Sequence, residues 1–345
     1  MTDSLWKTLI DKQPSSVFHT PSWMRVLADT YNFEIRAHLL TEPSSSGNVE
    51  GAPVAGLPFC QVADIRGRRI VSLPFCDFYD PIVDNPKQWF ELVEPLVGEG
   101  IPYKIRPLHS SIPLTDTRFQ MVNKARWHGL KLAPSLDDLW HSLHGSVRTA
   151  VRKAQKNGVI IRVAQNESDL KAFYQMHLLV RKQKYRMVAQ PYQFFYLIWK
   201  EFIQSNNGYL LLAVYQNQII AATIFLRWQK TIYYKFNASI PTELHVNPNE
   251  LLLWSGMKYG KESGCEQLDF GLSDWDQEGL IFYKRKFAQK EKPIHFLQFM
   301  PDGYSSHELD KVNQLLPQLT DLLTDKSVPD EITQRAGELL YRNFC

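Results

Sequence analysis

The sequence predicts a mixed α/β protein with more than one domain. Apolar runs with strand-like alternation are interleaved along the chain with stretches of helical periodicity, a pattern that indicates helices packed on sheets. At 345 residues, of which 44% are hydrophobic and 22% charged, the chain can bury a substantial core and exceeds the length of an average domain. Two α/β domains are therefore the expectation.

The first half of the chain carries signals for helices and short strands. Thr20 followed by Pro21 is an N-cap with proline at the first helical position, so a helix is expected to begin there. A segment rich in proline, serine and glycine at 42–53 indicates a hairpin tip between two strands. The other predictions for this half are a helix over 86–97 and strands over 35–40, 54–62, 70–73, 103–106 and 119–125.

A long amphipathic helix is predicted over 135–157, between the two halves. Ser135 offers an N-cap with Asp138 three positions later, and apolar residues follow at helical spacing until Gly158. We expect this helix to bridge two domains.

A run of cations lies on this helix with no acid between them: Arg148, Arg152, Lys153 and Lys156. Three of them repeat every four residues, so they share a face from which they could clamp a diphosphate or the backbone of a tRNA. Cations in the last turns of a helix also interact favourably with its dipole, and a purely structural role is the alternative.

The second half of the chain has the element order β-α-α-β-β-β-α-β-α-β. Its predicted strands are 159–163, 209–215, 218–228, 232–237, 267–270 and 294–299, and its predicted helices are 169–186, 192–203, 249–263 and 280–287. Two further helices are predicted in the tail, residues 305–345.

Composition excludes several classes of protein. A net charge of +3 is too small for a general nucleic-acid binder. The apolar runs fall short of the roughly 20 residues of a membrane span and no signal peptide is evident, so we expect a cytoplasmic protein whose contact with a membrane would be peripheral. The four cysteines have no paired spacing and the ten histidines have no ligand partners, so no metal site is expected.

Several segments carry a resemblance to known enzymes. In the second half they are Tyr233–Ala238, Pro248–Trp254, Asp269–Ser273 and Tyr283–Phe287, and earlier they are Phe18–Trp23, Ser72–Phe75 and Arg148–Ala154. With the element order, they resemble the GCN5-related N-acetyltransferase (GNAT) superfamily. Within it they are similar to the Fem family of nonribosomal peptidyl transferases and to FemAB-related proteins of exopolysaccharide gene clusters.

The resemblance implies two tandem GNAT-like domains, a bridging helix and a C-terminal helical tail. The domains would be a degenerate first domain over 1–134 that serves the acceptor, the bridging helix over 135–158, a catalytic domain over 159–300 and the tail over 301–345. In this fold two central strands splay apart and hold the acyl carbonyl and the attacking amine.

The implied activity is acyl transfer to an amino group of a cell-envelope glycan or peptide precursor. Fem enzymes take an aminoacyl group from a charged tRNA, which would then be a partner of this protein, whereas acetyltransferases use acyl-CoA. The donor is therefore expected to be a co-substrate of either kind, and no tightly bound cofactor is expected. A catalytically inactive module that binds carbohydrate or nucleic acid is the alternative from a different class.

The loop at 239–250 bears on the choice of donor. Ordinary acetyltransferases bind the pyrophosphate of coenzyme A here with a glycine-rich loop, but this loop contains no glycine, so a phosphate nest of backbone N–H groups is not expected. Instead Asn247 is predicted to cap a helix that begins at Pro248, with Glu250 closing a capping box.

The predicted catalytic residues are Lys284, Tyr283 and Asp269. By resemblance, Tyr283, Lys284 and Phe287 occupy the aromatic, lysine and second aromatic positions of the Fem motif Phe-Lys-x-x-Phe-Gly. Lys284 would stabilise the transition state, Tyr283 would protonate the leaving group, and Asp269 would accept a proton from the attacking ammonium. For Asp269 the alternative is a structural role as the cap of a turn. Only one of Tyr283 and Lys284 is expected to point into the cleft. Because residues 284–286 are three consecutive cations, the alternative for Lys284 is an exposed position on a solvated face of the helix.

The predicted substrate-binding residues are Arg148, Arg152, Lys153, Tyr233, Tyr234, Asn237, Asn249, Ser273 and Phe287. Strand alternation predicts that Tyr233 and Lys235 face opposite to Tyr234 and Phe236, so that one pair lies in the core. Ser273 follows a strand in the Gly271 loop, where the carboxyl end of a sheet usually meets its ligand.

Overall fold

A computed structural model of the protein describes residues 4–42, 51–132, 135–304 and 307–345. The helices are α1 (Ser4–Lys12), α2 (Pro21–Tyr31), α3 (Pro86–Val97), α4 (Leu136–Ser142), α5 (Gly145–Lys156), α6 (Glu167–Leu179), α7 (Tyr192–Ile198), α8 (Pro248–Glu262), α9 (Glu278–Arg285), α10 (His307–Leu323) and α11 (Asp330–Leu340). The strands are β1 (Glu34–Thr41), β2 (Pro53–Asp64), β3 (Gly67–Val71), β4 (Tyr103–Ile105), β5 (Phe119–Lys131), β6 (Ile160–Val163), β7 (Gly208–Tyr215), β8 (Gln218–Trp228), β9 (Thr231–Ser239), β10 (Gln267–Asp274) and β11 (Lys290–Phe299).

The predicted α/β class and the element order of the second half are confirmed, and the tail contains the two predicted helices. Helix α2 begins as predicted, because Pro21 takes the first position and the Thr20 hydroxyl accepts the N–H of Trp23 at 3.2 Å. Most of the predicted hairpin tip, residues 43–50, lies outside the described residues.

The chain divides into two compact units. The first comprises Met1–Arg126, Lys292–Leu316 and Arg342–Cys345, and the second comprises Trp127–Glu291 and Pro317–Tyr341. The domain limits suggested by the sequence stay a prediction.

The first unit contains a sheet with strand order β1-β2-β3-β4-β11. Its strands pair antiparallel except for β3 with β4, which pair parallel. Helix α3 packs on β1 and β2, and it places the fully buried Trp89 in the core of this unit. The indole N–H of Trp89 donates to Asp116 Oδ2 at 3.0 Å, and the same carboxylate pairs with Arg118 at 2.9 Å.

The second unit contains a sheet with strand order β5-β10-β9-β8-β7-β6. Strands β6 to β9 pair antiparallel, and β9 pairs parallel with β10. Helix α8 packs on β7, β8 and β9 with α5 behind it, whereas α6 packs on β8 and β9 from the other face. At Gly256 of α8 a Cβ atom would lie 2.1 Å from the ring of Phe225, so only glycine permits this close approach of α8 to β8.

The predicted long helix over 135–157 is two helices, α4 and α5, and the prediction of one continuous helix is wrong. Leu143 has an extended backbone at φ −69° and ψ 147°, and the His144 ring caps α5 by accepting the N–H of Ser146 at 3.2 Å. Arg148 donates to the carbonyls of His141 and Leu143 at 2.8 and 3.0 Å, which satisfies acceptors left open by the break. The cap at His144 therefore divides the helix in two, although the apolar periodicity of the sequence continues through the break.

No helix in the described ranges is long and apolar enough to cross a membrane. The described residues also contain no group of three or more histidine, cysteine or acidic side chains that could hold a metal ion. All four cysteines are buried thiols.

Candidate functional site

Strands β9 and β10 pair only at their beginnings and then separate. Their parallel register runs from Thr231 with Gln267 to Tyr233 with Asp269, whereas each strand continues for several residues beyond that point. Gly271 has a φ of 66°, a left-handed conformation that β10 adopts just after the last pair. The Asp269 carboxylate holds this turn, since Oδ1 accepts the N–H of Gly271 at 2.6 Å. The result is a cleft between two neighbouring strands, as the resemblance implies for this fold.

A bulge in β9 changes which side chains share a face. The register with β8 moves from Phe225 opposite Tyr234 to Ile224 opposite Phe236, which leaves Lys235 as an extra residue. Tyr234 lies on the α8 face, where its ring contacts Phe225 at a centroid distance of 5.7 Å.

Phe236 lies on the opposite face, where its ring is 5.7 Å from Phe194 and 5.2 Å from Phe195. The predicted alternation therefore separates Tyr233 from Tyr234 correctly, but the prediction that Tyr234 and Phe236 share a face is wrong. The extra residue shifts the pattern by one position, so that Asn237 joins Tyr234 on the α8 face.

Asn237 and Asn249 join β9 to the first turn of α8. The Asn237 amide donates to Thr223 Oγ1 at 2.9 Å and to Asn249 Oδ1 at 3.2 Å, and the Asn249 amide donates to Ser239 Oγ at 3.4 Å. These bonds fix the rotational position of α8 above the cleft.

Helix α8 begins at Pro248, as predicted, but without the predicted capping box. Asn247 has a left-handed backbone at φ 57° and makes no side-chain cap bond, and its own N–H donates to the Leu244 carbonyl at 3.0 Å. Its Nδ2 atom is buried without a hydrogen-bond partner in the part of the chain that the structure describes. Glu250 is therefore not used as a cap.

Lys284 is buried, at 3% exposure, on helix α9. Its Nζ donates to the carbonyls of Leu272 at 2.8 Å and Gly271 at 3.3 Å, both in the separated part of β10. The solvated alternative is wrong for this residue. Its neighbours do reach the surface, where Arg285 pairs with Glu291 at 2.8 Å and Lys286 lies 4.7 Å from the ring centroid of Phe282.

Tyr283 also turns its polar end inward. Its hydroxyl is buried and has no hydrogen-bond partner among the described residues, and its ring lies 5.3 Å from that of Phe287. Burial, with smaller contributions from Tyr234 and Glu250, raises the pKa of Tyr283 well above 10, so the phenol keeps its proton at neutral pH. Both polar ends are therefore buried, whereas the expectation that only one of the two side chains points into the cleft stays a prediction.

The remaining predicted residues, which lie in β9, in β10 and just after α9, are buried. Asp269 is 4% exposed and Tyr233 is also 4% exposed. Ser273 is fully buried, and its hydroxyl has no hydrogen-bond partner within the described ranges. Phe287 is 2% exposed and packs against Phe270 in the core of this unit.

Two of the four cations of α5 contact α4 or the break that follows it. Arg148 donates to α4 carbonyls as described above, and Arg152 lies 5.4 Å from the ring centroid of Trp140. Lys153 and Lys156 are exposed. Two of the four predicted clamp residues thus have local structural contacts.

A basic segment that follows α6 was not predicted from the sequence. Residues Val180–Lys184 form a π-helical turn, and Arg186 beyond it has a φ of 52°, both of which are unusual backbone features that concentrate at functional sites. Arg181 and Lys184 lie 5.9 and 5.2 Å from the ring centroid of the exposed Tyr185. The Nε atom of Arg181 is buried without a partner in the described part of the chain.

The basic segment follows the last turn of α6, where the His177 ring lies 6.4 Å from the ring of Phe236 on β9. Burial first, and then the charges of Tyr185 and Glu250, raise the pKa of Tyr234. The cations and the aromatic residue at 181–185 were visible in the sequence, but the π-helical turn that they form after α6 was not.

His128 of β5 is a second residue that the sequence did not indicate. It is fully buried, with Nε2 3.2 Å from Glu291 Oε2. Burial lowers its pKa to about 4, and the positive charge of Lys284 acts in the same direction. The ring is therefore neutral at pH 7 and adds no second cation beside Lys284.

Comparison with known proteins identifies the second unit. The sequence profile described as an acetyltransferase (GNAT) domain matches residues 141–285, which include the cleft, α5 and the basic segment. No curated protein matches the chain significantly.

Solved structures share the fold over nearly the whole chain. FemX has a TM-score of 0.69 at 13% identity, over 92% of this chain and 99% of its own. The C-terminal domain of a putative lysylphosphatidylglycerol synthetase from Agrobacterium fabrum has a TM-score of 0.56 at 14% identity, over 90% and 94%. A tandem GNAT protein from the clavulanic acid biosynthesis pathway has a TM-score of 0.52 at 11% identity, over 87% and 94%. The resemblance found in the sequence is confirmed at the level of the fold: residues 141–285 match a GNAT domain, and the chain shares a tandem GNAT-like fold with FemX and with the clavulanic acid pathway protein.

Proposed function

We propose that this protein transfers an acyl or aminoacyl group from an activated carrier to an amino group of a cell-envelope glycan or peptide precursor. The observation that carries the proposal is the buried ammonium of Lys284, held by β10 carbonyls at the cleft between β9 and β10. A cation in a water-poor cleft interacts strongly with charge that develops on a reacting carbonyl. We place the reaction in the cytoplasm, where charged tRNA and acyl-CoA are made.

The side chains of the cleft supply the proton transfers. Asp269 takes a proton from the substrate ammonium, and the free amine attacks the ester or thioester carbonyl and forms a C–N bond. Lys284 stabilises the negative oxygen of the tetrahedral intermediate. As the bond to the carrier breaks, Tyr283 gives its proton to the departing oxygen or sulfur and recovers one from the new amide nitrogen. The raised pKa of Tyr283 keeps it protonated for this role.

The start of α8 favours an aminoacyl-tRNA over acyl-CoA. A pyrophosphate bound there would require backbone N–H donors and positive charge. Pro248 has no N–H, the loop before it contains no glycine, and Glu250 adds a negative charge in the first helical turn. These residues disfavour a phosphate group at this helix terminus.

The matched GNAT domain supports acyl-CoA as the second candidate donor. The deciding experiment incubates the purified protein with an envelope-precursor fraction and either labelled acetyl-CoA or labelled charged tRNAs, and traces the product by mass spectrometry. Label from tRNA supports the Fem-like reaction, and label from coenzyme A makes the protein an acyl-CoA transferase. Transfer from neither, with salt-sensitive tRNA binding that is lost when Lys153 and Lys156 are replaced, would indicate a binding module.

We assign the anionic part of the acceptor to the basic segment. Arg181 and Lys184 flank Tyr185 after the last turn of α6, and glycan and peptide precursors carry phosphates or carboxylates that such cations bind. Arg181→Gln should raise the KM for the acceptor about tenfold with a smaller effect on kcat, because a charge-assisted hydrogen bond contributes about 1.5–3 kcal/mol. Lys171→Gln, an exposed cation on the preceding helix α6, is the matched control. An unchanged KM for Arg181→Gln would remove this segment from acceptor binding.

A further inference from the structure

The helical tail holds the basic segment through a buried lysine. Lys182, in the π-helical turn at 180–184, is 4% exposed. Its Nζ donates to Asp330 Oδ1 at 2.6 Å and to the carbonyl of Val328, both in the part of the tail that belongs to the second unit. An ammonium group loses much of its hydration at such a position, and these two acceptors compensate for the lost water. Lys182 therefore ties the turn to this tail segment, residues 317–341.

Arg186 makes a second connection to the tail segment. It has a left-handed backbone at φ 52°, which a residue with a Cβ atom rarely adopts. Its guanidinium donates to Asp321 Oδ1 at 2.6 Å and to the Thr324 carbonyl at 2.9 Å. The chain reverses here, so that the Met187 N–H donates to the Arg181 carbonyl at 3.0 Å. Because such a conformation persists only where the surroundings hold it, the bonds of Arg186 to the tail segment also fix the backbone at residue 181.

Polar bonds rather than close packing make this contact. A cavity of about 550 Å³ is lined by Lys182, Gln183 and residues 326–330. Farther along the chain the packing is close, since a Cβ atom on Gly337 of α11 would lie 2.2 Å from the Ala189 carbonyl oxygen. The position of the basic segment relative to the tail segment therefore depends on the ion pairs of Lys182 and Arg186.

The four cations of the basic segment have two different environments. Lys182 and Arg186 contact the tail segment, whereas Arg181 and Lys184 lie against the ring of Tyr185. A contact that only stabilised the fold would be made equally well by apolar side chains that fill the cavity. Two ion pairs with fixed partners instead define one position of the turn.

We propose that the tail segment positions the basic segment, with Lys182 and Arg186 as positioning residues that set where Arg181 meets the acceptor. The inference rests on the proposed function, in which Arg181 binds the anionic part of the acceptor. It makes acceptor binding depend on Asp321 and Asp330, although neither carboxylate belongs to the basic segment.

Hydrogen exchange measures the positioning without requiring turnover. In the full chain, the double variant Asp321→Ala/Asp330→Ala should speed exchange of the Tyr185 and Met187 amides about tenfold more than exchange of the β8 amides, which report global opening. Glu331→Ala removes the neighbouring exposed acid of α11 and should leave these rates unchanged. Asp321 is exposed, so Asp321→Ala alone carries the test if the double variant does not fold. Unchanged exchange of Tyr185 and Met187 without the carboxylates would overturn the proposal.

Transfer kinetics then test what the positioning does. The double variant should raise the KM for the acceptor by about three- to tenfold and keep kcat within about twofold. It should add little to the effect of Arg181→Gln, because both changes act through the same guanidinium. Fully additive effects, or an unchanged KM in the double variant where Arg181→Gln raises it, would show that the tail segment only stabilises the fold and would overturn the proposal. If exchange depends on the two carboxylates but no transfer occurs from any donor, the positioning stands and the proposed function fails.

Discussion

At the scale of single residues, the three cations at 284–286 have different environments despite their adjacency. Lys284 is buried against β10 carbonyls, whereas Arg285 and Lys286 lie at the surface. Helical geometry separates neighbours by about 100°, so adjacent residues of one charge type can serve different purposes. The chemistry of the cleft should therefore depend on the first of the three alone.

Lys284→Met should lower kcat by at least about 100-fold, because it removes the cation that faces the developing oxyanion. It should also destabilise the fold by about 1–3 kcal/mol, since two β10 carbonyls lose their donor, and urea unfolding measures this cost. Lys286→Met is the matched control and should turn over within about twofold of the wild type. A folded Lys284→Met protein with normal kcat would exclude Lys284 from the mechanism.

The sequence predicted part of this site. Lys284 and Tyr283 were identified through their resemblance to a family motif, but the burial of both polar ends could not be inferred, because a run of cations is typical of a solvated face. Arg181 and His128 were missed for a related reason: each acquires its environment from residues distant in sequence, such as Glu291 beside His128.

At the scale of secondary-structure elements, local sequence signals predicted where helices begin, but they did not predict where a helix or a strand is interrupted. Pro21 and Pro248 mark the beginnings of α2 and α8 because proline is pre-set for the first helical position. The bulge at Lys235 and the break at Leu143 were not predicted. A bulge depends on how two strands pair. The alternation of side chains along one strand does not show which residue will be the extra one.

The turn at Gly271 provides a test at this scale. Gly271→Ala should destabilise the protein by about 1–2 kcal/mol, since a side chain disfavours the left-handed conformation at φ 66°. It should also lower kcat, because the Gly271 carbonyl that accepts from Lys284 moves with the turn.

Gly279→Ala is the control for this substitution. It lies at the start of α9, where an added Cβ atom meets nothing within 4 Å, and alanine there should be neutral or stabilising by up to about 1 kcal/mol. Urea unfolding and turnover are measured for both variants. If Gly271→Ala and Gly279→Ala have the same stability and the same activity, the turn at Gly271 does not position Lys284.

At the scale of the whole molecule, each compact unit buries a neutral histidine. In the first unit His19 is 2% exposed, its Nδ1 accepts the N–H of Ser16 at 3.0 Å and its Nε2 lies 2.9 Å from the Asp80 carbonyl. Burial lowers its pKa to about 4. In the second unit His177 is 5% exposed, with Nε2 2.9 Å from Gln190 Oε1, and burial lowers its pKa to about 3.

These two histidines make stability depend on acidity in a defined direction. Between about pH 6.5 and the lowered values the unfolded chain binds protons that the folded chain does not, so the free energy of unfolding rises with pH and falls as the solution is acidified. Each histidine should contribute up to about 1.4 kcal/mol per pH unit in this window. For His19 the physical reason is specific: a proton on Nδ1 would face the Ser16 N–H that it now accepts.

Urea unfolding at pH 7.0, 6.0 and 5.0 measures the slope in the wild type, His19→Gln, His177→Gln and the exposed control His141→Gln. Both buried variants should be less stable at pH 7 and should show a shallower dependence on pH, whereas His141→Gln should keep the wild-type slope. A loss of stability at pH 7 alone would follow from any disturbed packing. A change in the slope of stability against pH requires that the replaced histidine ring is the group that resists protonation. A wild-type slope in both buried variants would show that other groups control the acid stability of this fold.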